Sequence, residues 1–317
     1  MDVVSIGETM VLFTSEMQGL MRYARNFSVK IAGAETNTLI GLSRLGHQTG
    51  WISKLGQDEF GELVLSTVRG EGVNISEVTR DSSSPTGIFF KEFLHDGHVR
   101  VHYYRAHSAA SRLEKRDIDE NYIRNAKYLY LTGITPALSG SCREAVFTAI
   151  EYAKKYGIQI VFDPNIRKKL WKDANAKEII LRIAKEADIV LPGMGEGDFL
   201  FGTSNPEMIS EHFLNLGSRL VAVKLGADGA YFATENEKGT VSGYKIHRVI
   251  DPVGAGDGFA AGVLSGLLDH LNTREAVQRG CAIGAMVATV NGDIEGLPDK
   301  KLLRKFMNPE NVDEVSR

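Results

Sequence analysis

A glycine-rich segment near the carboxyl end of the chain has residue types suited to chemistry on an anion. It reads DPVGAGD over 251–257 and leads directly into an apolar stretch of helical period. The backbone N–H groups of Gly254, Ala255 and Gly256 would then lie at a helix N-terminus, where unpaired N–H groups and the helix dipole bind phosphate or a developing negative charge. Asp257 stands beside them, and a carboxylate in that place can accept the proton of an attacking hydroxyl. The alternative is that Asp257 only caps the helix and the glycines only turn the chain.

Two other phosphate-binding motifs fail on the residues that they require. The segment 41–46 has the spacing of a P-loop opening, but His47 and Gln48 stand where Lys and Ser or Thr are needed. The dinucleotide fingerprint also fails, because Phe259 replaces the third glycine that should follow the Gly-Ala-Gly turn. The sequence therefore argues against a P-loop ATPase and against a nicotinamide enzyme.

A second glycine-flanked turn follows the predicted strand 220–224. It consists of Gly226, Ala227, Asp228 and Gly229. Open α/β sheets bind ligands beyond the carboxyl ends of their parallel strands, so a nucleotide base or ribose could lie over these glycines. An ordinary strand, turn and strand, with glycine at positive φ, is the alternative.

The elements that would position these turns alternate in type, as in βα units that build a largely parallel sheet. The predicted strands are 3–6, 49–54, 128–132, 158–163, 189–191 and 220–224, and the predicted helices are 35–45, 60–71, 143–156, 174–187 and 259–268. Two segments, of about 10–33 and 84–108, look instead like antiparallel β, and the Asp-Gly pair at 96–97 is a hairpin signal. We expect these two segments to form a small sheet that covers the main domain as a lid.

Composition narrows the class of protein. The 317 residues are 43% hydrophobic and 24% charged, which provides a large core and excludes a disordered chain. The 37 basic and 40 acidic residues nearly cancel, so neither a nucleic acid nor a membrane surface is an expected partner. With only Cys142 and Cys281, no disulfide framework or cysteine zinc site is available. An acid at the N-terminus, where a secretory signal has base, adds to the expectation of a cytoplasmic protein.

Three segments together resemble the signatures of the PfkB, or ribokinase-like, carbohydrate kinases. The segment 251–262 is similar to the C-terminal signature of that family, and 226–229 is similar to its nucleotide turn. The sequence AGAETN at 32–37, with Gly46 and Gly56, is similar to the N-terminal signature. The resemblance covers essentially the whole chain in order, which makes it more specific than any one motif.

This resemblance implies a fold and a reaction. The fold is a three-layer α/β/α core with a largely parallel sheet and a β-sheet lid; the core would comprise 1–9, 34–83 and 109–317, and the lid 10–33 and 84–108. The reaction is ATP-dependent phosphorylation of a sugar hydroxyl, with Asp257 as the base and residues 254 to 256 as the anion hole. The residues implied on the nucleotide side are Asn165, Lys224, Gly226, Ala227, Asp228 and Gly229.

One departure from the family pattern concerns Mg²⁺. The family commonly has Asn-x-x-Glu after the strand that here ends at 191, but this chain has Gly193 in place of that Asn. Glu196 remains as the residue that would organise Mg²⁺ and phosphate through water, since Mg²⁺ keeps much of its hydration shell. The alternative is that Glu196 is an acid in the first turn of a helix.

Arginines and phenols near the predicted crevice indicate the acceptor. Tyr103, Tyr104 and Arg105 end the second lid strand, and Arg167 follows the strand 158–163. The planar fork of arginine suits a carboxylate, whereas neutral sugars are usually bound by Asp, Asn and Gln, so the pair favours an acidic sugar. Solvated arginines at a strand end and in a basic run are the alternative.

Within the family, these segments look most like 2-keto-3-deoxygluconate kinases. That resemblance implies substrate contacts by Gly33, Tyr103, Arg105, Arg167, Asp257 and Asp293. Fructokinases carry similar stretches, so a neutral-sugar kinase is the alternative within the family, and a non-catalytic sugar or nucleotide sensor is the alternative outside enzymes. An exposed edge of the lid sheet would also favour a homo-oligomer.

Overall fold

The computed structural model describes residues 1–95, 98–171 and 175–308. Its strands are β1 (Val3–Ile6), β2 (Met10–Ser15), β3 (Phe27–Ala32), β4 (Thr49–Gly56), β5 (Asn74–Asp81), β6 (Ile88–Phe93), β7 (Val99–Tyr104), β8 (Tyr128–Thr132), β9 (Gln159–Asp163), β10 (Ile189–Val190), β11 (Leu220–Lys224), β12 (Gly229–Thr234) and β13 (Lys238–Ser242). Its helices are α1 (Ala34–Arg44), α2 (Glu59–Gly70), α3 (Glu120–Arg124), α4 (Thr135–Leu138), α5 (Gly140–Tyr156), α6 (Ala176–Ala184), α7 (Met194–Phe201), α8 (Pro206–Asn215), α9 (Ala255–Leu268), α10 (Thr273–Val287) and α11 (Lys300–Met307).

Nine strands form the main sheet, in the order β13-β12-β11-β10-β9-β8-β1-β4-β5. The pairs from β11 to β5 are parallel, and only β12 and β13 are antiparallel to their neighbours. Helices α1, α2, α9, α10 and α11 pack on one face of the sheet, and α3 and α5 to α8 pack on the other. The prediction of a three-layer α/β/α core with a largely parallel sheet is confirmed.

The lid is a four-stranded sheet, in the order β3-β2-β6-β7. Its strands lie inside the predicted segments 10–33 and 84–108, and the exact limits of the lid as a unit remain a prediction. The expectation of an antiparallel sheet was wrong for one pair, because β2 and β6 are parallel. The connection between them is a long crossover through β3, α1, β4, α2 and β5, and not a tight hairpin, so a parallel pairing is possible. The predicted hairpin turn at 96–97 lies outside the described residues.

Close contact between α9 and α10 explains part of the glycine excess. A Cβ at Gly262 would lie 2.6 Å from Cα of Gly280, and a Cβ at Gly266 would lie 2.6 Å from Cα of Ala276. Larger side chains would separate the two backbones, so these small residues set the position of α9. That position decides where the start of α9, with Asp257, meets the sheet. Within the described residues, the helices are too short or too polar to span a bilayer.

Candidate active site

Three cavities adjoin one another along the carboxyl ends of the parallel strands. The inner cavity, of about 60 Å³, lies between lid and core and reaches Asp257 and Arg167. The central cavity, of about 210 Å³, shares these two residues with it and also contains Gly256 and Lys224. The outer cavity, of about 260 Å³, shares Gly256 and Lys224 with the central one. The shared residues thus lie at the two junctions of a continuous groove.

Asp257 lies in the first turn of α9, where it is 7% exposed. The side-chain amide of Asn37 donates a hydrogen bond of 2.8 Å to its Oδ2, and the amide of Asn165 lies 3.5 Å from its Oδ1. Burial raises the pKa of Asp257 to about 7, and the negative charges of Asp163 and Asp293 act in the same direction. A carboxylate with this pKa is a stronger base than a solvated aspartate, and about half of the molecules carry it ionised at pH 7.

The start of α9 is a tight turn that only glycine forms without strain. Gly254 has φ of +86°, and a Cβ there would lie 2.9 Å from the backbone carbonyl oxygen of Asp293. The N–H of Ala255 donates to the carbonyl of Pro252 at 3.3 Å. Within the described part of the chain, the N–H groups of Gly254 and Gly256 meet no protein acceptor, and both residues line the central cavity. In the predicted anion hole, the N–H groups of Gly254 and Gly256 are thus available to a ligand, whereas that of Ala255 already makes a long hydrogen bond.

An ion pair closes the opposite side of the central cavity. Lys224 Nζ lies 2.7 Å from Oδ2 and 2.9 Å from Oδ1 of Asp163, at the ends of β11 and β9. Burial alone would lower the pKa of Lys224, but the charges of Asp163 and Glu196 outweigh it and raise that pKa. Lys224 therefore carries a positive charge at the junction of the central and outer cavities.

Glu196 lies in the central cavity at the start of α7. One carboxylate oxygen accepts the N–H of Gly193 at 2.6 Å, and the other accepts the N–H of Ile166 at 2.9 Å. Burial raises the pKa of this carboxyl group. The two hydrogen bonds hold the loop after β9 against the start of α7.

The donor set of the central cavity suits a Mg²⁺ ion held through water. Among the described residues, no group of three or more His, Cys, Asp or Glu side chains could hold a metal directly. Glu196 already accepts two backbone hydrogen bonds, so its remaining lone pairs are available to water and not to a closed ligand shell. Mg²⁺ usually keeps several waters and takes its other ligands from substrate phosphates, which fits this arrangement.

Arg105 lies between the lid and Glu8, which follows β1. Its Nε donates to Glu8 Oε2 at 2.7 Å, its Nη2 contacts the same oxygen, and Arg105 is only 8% exposed. Ser108 also donates to Glu8. The expected contact of Arg105 with an acceptor carboxylate stays a prediction, but two of its nitrogens are already committed to Glu8.

The other predicted acceptor residues fall into two groups. Gly33, Tyr103 and Asp293 line the inner cavity together with Asp257 and Arg167. The ring of Tyr103 stacks on Phe89 with centroids 5.5 Å apart. Tyr104 instead points away from that cavity, where it is 62% exposed and contacts the edge of the Phe90 ring. Alternation along β7 explains the difference, because neighbouring side chains of a strand face opposite sides.

The outer cavity has the character of a site for a flat aromatic ring. Its walls are mostly apolar and include Tyr244, Ile246, Val249, Phe259 and Ala285. The predicted residues Gly226, Ala227 and Gly229 form one rim, and Asp228 is not part of the lining. A Cβ at Gly226 would meet nothing within 4 Å, so glycine leaves open space at that rim. These walls suit a nucleobase, and the cavity meets the central one at Lys224 and Gly256.

Several residues that sequence reasoning did not assign also belong to the site. Asn37 orients Asp257, Glu8 fixes Arg105, and Asp163 pairs with Lys224. Lys91, on lid strand β6, makes ion pairs with Asp251 and Asp293. The sequence does indicate that Lys91 is unusual. It alternates with Phe89 and Phe93 along the strand, so a lysine lies on the same face as two large apolar residues.

Residues 1–300 match the pfkB family of carbohydrate kinases. The chain belongs to the PfkB carbohydrate kinase family. The 2-dehydro-3-deoxygluconokinase of Bacillus subtilis (strain 168) is 41% identical to it over 314 residues, which cover 98% of this chain and 97% of the relative. A 5-dehydro-2-deoxygluconokinase of Clostridium perfringens is 30% identical over 320 residues, which cover 98% of this chain and 93% of the relative.

Among solved structures, a candidate ribokinase II from E. coli in complex with ATP and Mg²⁺ has a TM-score of 0.90 with this PfkB chain. The two are 27% identical, and the match covers 97% of this chain and 99% of that one. The resemblance to the family and the ribokinase-like fold, both predicted from sequence, are therefore confirmed. The protein is an ATP-dependent PfkB sugar kinase.

Proposed function

We propose that this kinase phosphorylates the terminal hydroxyl of 2-keto-3-deoxygluconate and produces 2-keto-3-deoxy-6-phosphogluconate. The observation that carries this proposal is Arg167, which lines both the inner and the central cavity. Within the described residues the exposed Arg167 forms no ion pair shorter than 4.0 Å, in contrast to Arg105, although its charge acts to lower the pKa of Asp257. A guanidinium without a direct ion pair beside a sugar site favours an acceptor with a carboxylate. The 41% identity with a 2-dehydro-3-deoxygluconokinase supports the same acceptor.

Asp257 is the proposed general base. Its Oδ2 is held by Asn37, and its Oδ1, 3.5 Å from the Asn165 amide, is the oxygen that we propose for the acceptor hydroxyl. The acceptor hydroxyl would donate its proton to this carboxylate while its oxygen attacks the γ-phosphorus of ATP. The bond from the γ-phosphorus to the bridging oxygen breaks in the same transfer, and ADP leaves.

The start of α9 and Lys224 are the proposed electrostatic groups. Gly254 and Gly256 present free N–H groups to the central cavity, and charge on the transferred phosphoryl group would be stabilised there. Lys224 carries a positive charge on the nucleotide side of the same cavity. Mg²⁺ would neutralise phosphate charge when bound, with Glu196 as its partner through water and Asn165 beside the phosphates.

The lid is proposed to exclude water from the acceptor. Phe89, Val101 and Tyr103 of the lid form one wall of the inner cavity, which has a volume of only about 60 Å³. A sugar bound against this wall would be shielded from solvent on the side of the lid, and a loosely closed kinase would hydrolyse ATP. We also propose that the lid's edge strands β3 and β7 support a homo-oligomer, which sedimentation at several protein concentrations would detect.

Fructokinase or another neutral-sugar kinase is the second candidate. The ion pair of Arg105 with Glu8 favours this second candidate, because an arginine whose charge is neutralised attracts a substrate carboxylate less strongly. A non-catalytic sensor is disfavoured, because the chain retains both Asp257, held by Asn37, and the glycine turn at the start of α9.

A panel of acceptors tests the proposal. Release of ADP from Mg·ATP would be measured with 2-keto-3-deoxygluconate, its galactonate epimer, fructose, ribose and gluconate, with the Asp257→Asn variant as control. Turnover confined to the two keto-deoxy acids supports the proposed function. Faster ADP release with fructose or ribose would be consistent with a sugar kinase but would reject an acidic acceptor. No ADP release with any acceptor would favour the non-catalytic sensor.

A further inference from the structure

Lys91 is a buried cation that links the lid to the core. It lies on β6, and its side chain has no exposed surface. Its Nζ donates to Asp251 Oδ2 at 2.8 Å and to Asp293 Oδ1 at 2.9 Å. Burial alone would lower the pKa of Lys91, but the two carboxylates outweigh that effect and raise it, so the side chain is an ammonium ion.

The two carboxylates belong to the segments on either side of Gly254. The other oxygen of Asp251 accepts the N–H of Val253 at 3.1 Å, which fixes the turn immediately before the start of α9. The backbone of Asp293 packs directly against Gly254, within 2.9 to 3.4 Å of the place where a Cβ would stand. The ammonium group of Lys91 therefore binds one carboxylate within the turn and one in the segment that packs against Gly254. This turn carries the N–H groups that face the central cavity.

The same lid strand also faces the acceptor. Phe89 and Lys91 are two residues apart, and both are buried on one side of β6. Phe89 lines the inner cavity, and Lys91 reaches beneath it to the carboxylates. Any movement of this strand away from the core would separate a buried ammonium from two buried carboxylates, which is costly for charges removed from solvent.

We propose that Lys91 is a positioning residue for phosphoryl transfer, whose ammonium group fixes the 251–254 turn and couples the acceptor wall of the lid to the start of α9. The proposal rests on the function proposed above for Asp257 and the glycine turn. Lys91 does not touch the reacting atoms, and it acts through Asp251 and Asp293. Lys91, Asp251 and Asp293 are not among the residues that line the outer cavity, so we expect the role to affect the rate of transfer more than the binding of ATP.

The Lys91→Met variant tests this role, since methionine keeps much of the side-chain volume and removes the charge. A matched control is Lys30→Met, because Lys30 also connects the lid to the 291–295 segment. Its Nζ donates to the carbonyl of Asn291 at 2.5 Å and lies 3.6 Å from Glu295, but it contacts neither Asp251 nor Asp293.

We expect Lys91→Met to lower kcat by about 10- to 100-fold, as is typical when the support of a functional group is lost. The KM for ATP should change by less than about threefold, and Lys30→Met should keep kcat within about twofold of the original protein. A kcat of Lys91→Met equal to that of Lys30→Met, or a rise of the KM for ATP as large as the loss of kcat, would overturn the proposal.

A second variant covers the case in which Lys91→Met does not fold. Asp251→Asn keeps an oxygen for the N–H of Val253 and removes the charge that Lys91 binds, so it should give the same loss of kcat with an unchanged KM for ATP. An unchanged kcat in a folded Asp251→Asn protein would also overturn the proposal.

Amide hydrogen exchange separates this proposal from the proposed function. If the original protein phosphorylates none of the acceptors, the proposed function fails, but the positioning role still makes a prediction. Amides 253–258 should exchange faster in Lys91→Met than in Lys30→Met, while the strands of the main sheet exchange alike in both. Equal exchange at 253–258 in the two variants would overturn the positioning role.

Discussion

Asn37 on α1 donates its side-chain amide to Asp257 on α9 across 2.8 Å, although the two residues are 220 positions apart in the chain. The bond joins the N-terminal and C-terminal signatures of the sequence at one carboxylate. It holds Oδ2 of Asp257 in place, and it favours the ionised form of a carboxyl group that burial would otherwise keep protonated. The position and the basicity of Asp257 thus depend on the same neighbour.

Asp257→Asn should fold normally and lose most of its turnover. The amide is close to the carboxylate in size and cannot accept the proton, and loss of a general base typically costs about 10²- to 10⁴-fold in rate. Steady-state kinetics with Mg·ATP and the best acceptor would measure kcat, and binding of ATP alone should be unchanged. A kcat near that of the original protein would reject Asp257 as the base.

The pH dependence should reveal the pKa of Asp257. Because the base must be ionised, kcat/KM should fall about tenfold per pH unit below a pKa of about 7. Asn37→Ala removes a hydrogen bond to the ionised form, so its acid limb should move to higher pH. Thr38→Val is the control, since the Thr38 hydroxyl contacts the backbone carbonyl of Asp257 and not its carboxylate. Identical acid limbs in all three proteins would contradict the assignment.

Arg167→Ala should raise the KM for 2-keto-3-deoxygluconate by about 10- to 100-fold, which corresponds to the loss of one charge-assisted contact. The KM for ATP should change much less. Lys168→Ala is a matched control, because this exposed neighbour lies over the ring of Phe199 and is not part of the cavity lining. Equal effects of Arg167→Ala on both substrates would argue against recognition of a carboxylate by this residue.

Gly254→Ala should lower both the melting temperature and kcat. An alanine at φ of +86° costs about 1–2 kcal/mol, and its Cβ would also press on the carbonyl of Asp293. Gly70→Ala is the control, since a Cβ there meets nothing within 4 Å at the end of α2. Thermal unfolding and turnover of both variants provide the comparison. The prediction fails if Gly254→Ala matches Gly70→Ala in both quantities.

Much of the fold and of the site follows from local sequence. The Gly-Ala-Gly turn before an apolar helix predicts an anion site, and the ends of β9 and β11 predict where ligands collect, because both rules depend on residues close together in the chain. Strand β5 was not predicted, since its edge position leaves Asn74–Asp81 polar and partly exposed.

The long-range pairs could not be read from the sequence. The partners of Arg105 and Lys91 lie 97 and at least 160 positions away, so only the packing of lid on core brings them together. The parallel pairing of β2 with β6 depends in the same way on the crossover between them. For this reason the sequence did not reveal the pairing of Arg105 with Glu8, and Arg167 consequently has the greater weight in the proposed recognition of an acid.

Competition between two acceptors tests the central claim most directly. With 2-keto-3-deoxygluconate and fructose together at equal concentration and Mg·ATP limiting, the ratio of the two phosphorylated products equals the ratio of the two kcat/KM values. The proposed function predicts that the 6-phosphate of the keto-deoxy acid exceeds fructose phosphate by about 100-fold or more, since one charged contact distinguishes the acceptors. Comparable products, or an excess of fructose phosphate, would contradict it.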